Sequence, residues 1–301
     1  MKDFIEKPGR SITRRDFMKG TALGALSIAM GIPSARLIAE TSEVPFGAES
    51  PESVITLVRN QAAVSDAGEI DAKVVSEMID TALTLFSGEK STGDAWKKYI
   101  HAEDTVGIKY TRCSWMRIPT EQAVVDAVSR RVKESGAKKL HAGDGGLPFK
   151  ECSVLLNVPS VKVHTLTGIA VSLKNYINFS PNPSAYHHEG SEKLGEVWLP
   201  VKDKTRLIIV DFLRPYFGPG PQINPAYRWN YNGILVGTDP VAVDTVCLKI
   251  CQEKRNAFKG EEWLIAPPKS ISGADAKYGL GTSDPLKIKV IRSGWDKDTM
   301  I

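Results

Sequence analysis

The sequence predicts an α/β fold, a layered architecture with a largely parallel sheet flanked by helices. Short apolar, β-rich runs alternate with stretches of helical period along the chain, and Gly, Pro, Asn and Asp punctuate the junctions. The composition, 42% hydrophobic and 25% charged over 301 residues, is that of a globular chain with ample core and excludes a disordered or fibrous one.

The elements follow in order. Val54-Ile55-Thr56-Leu57-Val58 reads as a first strand. From Asp71 to Phe86, apolar residues recur at Val74, Val75, Met78, Ile79, Ala82 and Leu85, the period of an amphipathic helix. Thr105–Lys109 is a second strand. Pro119 opens a helix carrying Val124, Val125, Val128 and Val132, which Gly136 stops. Lys139–Ala142 is a short third strand leading into the turn Gly143-Asp144-Gly145-Gly146. Val154–Val158, Leu207–Val210 and Gly233–Gly237 are further strands. Asp239-Pro240 caps a helix reaching about Gln252, with Asp at the cap and Pro in the first turn. Leu286–Arg292 alternates and is expected to be an edge strand. Ligands of such sheets bind beyond the carboxyl ends of the strands, which places the Gly143–Gly146 turn, the 158–165 segment and the Asp211 region on one expected rim.

The N-terminus has a different character. Thr13-Arg14-Arg15-Asp16-Phe17-Met18-Lys19 precedes an apolar, Ala- and Gly-rich stretch from Gly20 to about Ala35. The heptapeptide resembles the twin-arginine export signal, and the stretch is shorter than the roughly 20 apolar residues of a membrane span. The resemblance implies the twin-arginine translocase as an export partner, a periplasmic destination, and no stable span after signal removal. Residues 1–40 are expected to form the signal segment, 41–52 a polar linker, and 53–301 one α/β domain. The leader holds seven basic and four acidic side chains, so it carries +3 of the formal net charge of +4. A body near neutrality has no electrostatic footprint for nucleic acid.

Cys113, Cys152, Cys247 and Cys251 form no Cys-x-x-Cys, so no ferredoxin-type cluster motif is encoded. Cys247 and Cys251, one helical turn apart, are expected to be buried thiols.

The chemistry concentrates in residues 157–189. Lys162, His164 and Lys174 lie among small and apolar residues beside Thr165, Thr167 and Gly168, and His187-His188-Glu189 follow in a Pro- and Asn-rich loop. A lysine in apolar surroundings is freed as base or nucleophile, and a histidine serves as base or metal ligand near neutral pH. Gly168 to Lys174 is compatible with a helix whose N-terminus would favour an anion. These residue types nominate His164, Lys174 and Lys162 as catalytic. Lys174, Gly168, Thr167 and Asp144 are nominated for a cofactor, and His164, His187, His188 and Asp211 for a metal. Asp239 has a sufficient role as helix cap, so Asp211 ranks above it.

Lys162-x-His164-x-x-Thr167-Gly168 followed by Leu173-Lys174-Asn175 resembles the centre of the family catalogued as domain of unknown function 362. Gly107-Ile108-Lys109, Gly136-Ala137-Lys138, Ile209-Val210-Asp211, Gly218-Pro219-Gly220-Pro221 and the run Gly237 to Asp244 agree with it, from about Val54 to Arg292. The family's usual Lys-Pro-Asn after the second strand is Lys109-Tyr110-Thr111 here, so no role carries over to Lys109. The spacing of His164 and Lys174 is also similar to the nickel-pincer lactate racemase family. That likeness implies a divalent metal or metal-containing cofactor tethered or contacted by Lys174, with His164 as base or metal neighbour and His187 or His188 as a further ligand. Two functions follow as expectations. One is an exported metal- or cofactor-dependent enzyme acting on a small organic molecule by proton transfer or redox chemistry. The other is a non-catalytic periplasmic factor that binds or matures a metal, cofactor or partner.

Overall fold

The computed structural model describes residues 53–112, 118–220 and 223–301, with the side chains of residues 188–190 outside that description. The expected signal segment, the linker and Cys113 lie outside the described residues.

Among the described residues nine strands form one sheet: β1 (Ser53–Arg59), β2 (Thr105–Tyr110), β3 (Lys139–Gly143), β4 (Val154–Val158), β5 (Ser160–His164), β6 (Gly168–Ala170), β7 (Thr205–Tyr216), β8 (Gly233–Gly237) and β9 (Ile288–Gly294). Seven of them run in the order β3-β2-β4-β7-β8-β1-β9, and β5 joins β7 and β6 off this path. The β3-β2-β4-β7 half is parallel throughout, as is the β1-β9 pair, and β8 runs antiparallel to both neighbours. The expected largely parallel sheet is therefore present, with β9 at its edge.

Helices cover both faces. On one lie α1 (Ala72–Ser87), α2 (Thr92–Lys97) and α3 (Gln122–Glu134), and on the other α4 (Ser172–Asn175), α5 (Pro240–Lys259) and α6 (Lys269–Ala276). Each strand divides its residues between the two layers. Val154 and Leu156 belong to the core layer that holds the buried faces of α1 and α3, and Leu155 to the layer that holds that of α5; along β7, Leu207 and Ile209 go one way and Ile208 and Val210 the other. Burial on both faces is why Val154–Leu156 in β4 and Leu207–Val210 in β7 read as unbroken apolar runs rather than alternating ones.

The caps behave as their residue types require. Asp71 accepts the N–H groups of Lys73 and Val74 to start α1, which ends at Gly88 in the left-handed conformation. Asp239 accepts those of Val241 and Ala242 at 2.8 Å and starts α5. Helix α3 begins at Gln122, three residues after Pro119, because Glu121 occupies the extended capping position. Cys247 and Cys251 are buried free thiols, and burial pushes the Cys251 thiol up to about 12. No helix among the described residues is long and apolar enough to cross a membrane.

Candidate functional site

The cleft lies at the carboxyl ends of β2, β3 and β4, the end of a parallel sheet where loops diverge and leave room for a ligand. Lys109 comes from the end of β2, Asp144 from the turn after β3, Lys162 and His164 from β5, and Lys174 from α4; His187 comes from the following loop. The cleft has a volume of about 250 Å³, and Ala170, Val171 and Ile177 give it an apolar wall.

The β5–β6 hairpin sets up the centre. Val161 and Val163 enter the core, so Lys162 and His164, in the alternate positions, share the opposite face. Gly168, opposite His164 in the ladder, has φ +76, a left-handed conformation that glycine takes without strain. A Cβ there would approach Ala266 O to 2.7 Å and Pro268 Cα to 2.9 Å, so the hairpin also needs glycine for close packing.

After β6 the chain makes one helical turn, α4, rather than the longer helix expected from Gly168 to Lys174. The expectation of an anion at its start is met by the chain itself. Asp244, buried on α5, accepts the Ser172 N–H at 2.7 Å and the Leu173 N–H at 3.2 Å. Burial pushes its carboxyl up to about 8 against the opposing pull of these two donors. The turn then distributes its side chains. Leu173 enters the core and its carbonyl accepts the Trp198 Nε1–H at 3.0 Å. Asn175 donates to Lys109 O at 2.9 Å and to Asn157 Oδ1 at 2.7 Å, and its Oδ1 accepts from Lys109 Nζ and Thr111 Oγ1, both at 3.1 Å. Asn157 in turn donates to Ser172 O at 3.1 Å. Lys174, between these two anchors, is left pointing into the cleft.

Lys174 Nζ lies 2.9 Å from His164 Nε2 and 3.1 Å from His187 Nε2. Backbone partners on the far side of each ring fix the proton positions. The Leu166 N–H donates to His164 Nδ1 at 3.2 Å, so the neutral His164 ring carries its proton on Nε2. His187 Nδ1 faces the Pro183 carbonyl at 3.1 Å, an acceptor only, so Nδ1 carries the proton and Nε2 has the lone pair. His164 therefore donates to Lys174, and Lys174 donates to His187. Only a neutral amine can accept the first bond while donating the second; an ammonium would set N–H against N–H at His164.

The remaining charges favour an anion. Among the described residues, Lys109, Arg112 and Lys162 line the cleft with one carboxylate, Asp144, which pairs with Lys109 at 2.7 Å. Burial opposes ionisation of Asp144, but the Lys109 ammonium and hydrogen bonds from Lys109, Asn178 and the Arg112 N–H hold its carboxyl below the ordinary range. Lys162 Nζ donates to Ser160 Oγ at 3.2 Å.

Of the residues nominated from sequence, Lys162, His164, Lys174, His187 and Asp144 meet in the cleft. Thr167 and Gly168 do not line it: Thr167 Oγ1 donates to Ile169 O at 3.2 Å, and Gly168 packs against residues 266 and 268. The expected rim position of Asp211 is corrected by strand parity. Asp211 sits within β7, on the face of Ile209 and Leu213 under α1 and α3, whereas Lys109 shares the opposite face with Gly107 and lines the cleft. Its oxygens accept the Glu121 N–H at 2.6 Å and the Leu213 N–H at 3.0 Å, and burial pushes its carboxyl up to about 6. The His188 side chain lies outside the description. Lys109, Asn157, Asn175 and Asp244 were not nominated; a charged or amide residue inside an apolar strand or helix face was the available signal for three of them.

The metal-containing cofactor implied by the lactate racemase likeness finds only part of its setting. Among the described residues no three His, Cys, Asp or Glu side chains are grouped to hold a metal ion. His164 and His187 both direct Nε2 at the Lys174 amine, and Asp211 is on the other face of the sheet. The donor set fits amine and imidazole chemistry.

No curated protein and no solved structure matches the chain. Residues 130–249, which hold Lys162, His164, Lys174, His187 and Asp244, match the model of the family described as domain of unknown function (DUF362).

Proposed function

We propose that the chain is an exported enzyme that moves a proton on a small organic acid, with Lys174 as the base and His164 and His187 as its relay. The observation that carries this reading is the Lys174 amine, held between two imidazoles of opposite hydrogen-bonding role inside a cation-lined cleft. A neutral amine takes a proton from substrate directly. His187 Nε2 then accepts a proton from the resulting ammonium, and His164 Nε2–H supplies one where the substrate needs it, so the three groups act as base, store and acid. Lys162 and Arg112 supply the positive charge that draws a carboxylate to the mouth. The apolar wall keeps water from the amine, which strengthens each of these interactions. Export is supported by the twin-arginine-like heptapeptide Thr13 to Lys19.

The test uses the full chain, recovered from the periplasm of a host with a working twin-arginine pathway. A panel of small 2-hydroxy and 2-oxo acids is incubated in deuterated water, and C–H exchange beside the carboxyl or carbonyl is followed by NMR. Exchange by the wild type and its loss by about 10²-fold or more in Lys174→Ala is expected. No exchange above the buffer rate across the panel, or exchange undiminished in Lys174→Ala, overturns the proposal. Intact mass of the same protein tests the cofactor-tethering alternative: an added mass on Lys174 that survives denaturation replaces the reading of Lys174 as the base.

A further inference from the structure

Resting on that reading, we propose that Lys174 acts covalently: its amine forms an imine with the carbonyl carbon of a small 2-oxo acid whose carboxylate is held by Lys162. Three observations on the cleft lead there. First, the hydrogen-bond directions leave Lys174 with its lone pair toward His164, and a lone pair on nitrogen is what attacks a carbonyl. Second, Lys162 and His164 project from the same face of β5, two residues apart, so a ligand reaching both is only a few atoms long. A carboxyl and an adjacent carbonyl match that span. Third, the cleft of about 250 Å³, with Ala170, Val171 and Ile177 on its wall, suits a small ligand with an apolar end.

The step balances with the groups present. The Lys174 nitrogen forms a bond to the carbonyl carbon as the C=O π bond breaks, and His164 Nε2–H, released from the amine, gives its proton to the oxygen. His187 Nε2 takes a proton from the nitrogen. The carbinolamine then loses its oxygen as water, with the second proton returned from His187 and the remaining N–H proton passing to the His164 Nε2 that gave the first, so the products are a neutral imine and one water, with both histidines as they began. The imine withdraws electrons from the neighbouring C–H bond, which makes proton transfer there easier and joins this step to the proposed activity.

The experiment is reductive trapping with pyruvate as probe. The full chain is incubated with pyruvate and sodium borohydride, and the adduct is mapped by peptide mass spectrometry. Adduct on Lys174 in preference to Lys109 and Lys162 is expected, together with its absence in Lys174→Arg and with lactate, which has no carbonyl. Lys162→Met is expected to lower trapping about tenfold at limiting pyruvate and to be rescued by excess pyruvate. Circular dichroism and denaturation curves matching wild type establish that both variants fold. If the wild type exchanges protons but gives no adduct, the covalent step is wrong and Lys174 as simple base stands. If neither exchange nor adduct appears, both proposals fall. Equal labelling of all cleft lysines, or Lys162→Met trapping like wild type at limiting pyruvate, overturns the inference as stated.

Discussion

Asp244 and Ser172 are joined across 72 residues of sequence by a 2.7 Å hydrogen bond from the Ser172 N–H to the Asp244 carboxylate. With the companion bond from Leu173, this ties α5 to the single turn that carries Lys174. Helix α5 itself is held at its start by Asp239, so the direction of Lys174 is referred back to the sheet through two carboxylate caps. Asp244→Ala leaves two buried amides without an acceptor. A loss of about 1–3 kcal/mol is expected in urea denaturation, together with reduced trapping at Lys174.

The same carboxyl gives a pH signature. Its folded value, about 8, lies above the ordinary 3.8. A raised carboxyl gives stability that is complete below about pH 4 and is lost as pH rises to about 8, because the unfolded chain ionises first. The stability of wild type relative to Asp244→Asn is therefore expected to fall with rising pH between those limits. Parallel curves from pH 4 to 9 would contradict the assignment.

Asp211 provides an independent and narrower window. Burial raises its carboxyl to about 6, so its contribution is expected to fall by roughly 3 kcal/mol between about pH 4 and pH 6. Asp211→Asn should remove that fall and leave Lys174 trapping unchanged, because Asp211 is on the other face of the sheet. Denaturation at stepped pH, with trapping measured on the same samples, checks both parts.

The Lys109–Asp144 pair, with Lys109 buried and Asp144 half-buried, is expected to show strong coupling. Asp144→Ala removes the ammonium's carboxylate partner and should cost about 3 kcal/mol, while the double variant Asp144→Ala, Lys109→Met should recover part of that loss. A double variant whose loss equals the sum of the two single losses would show that the pair is not coupled.

Gly168→Ala combines a left-handed φ with a Cβ placed 2.7 Å from Ala266 O. The backbone of the hairpin must shift, at a cost of about 1–3 kcal/mol. Because His164 pairs with Gly168 in the ladder, Lys174 reactivity is expected to change with stability. Unaltered stability would show that the turn is not constrained as described.

The strands and helices were legible because each carries a local signal. Period, Gly stops and Asp caps depend on a few neighbouring residues, and they located β1, α1, β2, β4, β8 and the start of α5 closely. Lys162, His164 and Lys174 were legible because they stand as polar residues within a short apolar stretch. What failed was placement across the sheet. Asp211 ends an apolar tetrapeptide and so resembled a rim residue, but β7 continues to Tyr216 and parity turns Asp211 to the opposite face. Lys109 was passed over because Tyr110-Thr111 departs from the family pattern, although the side chain at 109 is what pairs with Asp144. Asn157, Asn175 and Asp244 support the site over separations of 15 to 72 residues, which no local pattern encodes.

The central claim is that the Lys174 nitrogen is an amine and not an ammonium when the site is empty and near neutral pH. Nitrogen-15 NMR of the lysine side chains reads this directly, with the Lys174 signal assigned by its loss in Lys174→Arg. The account predicts a resonance at the neutral-amine position at pH 7 that moves when His164 is replaced by Ala. An ammonium resonance for Lys174 in the wild type would contradict it.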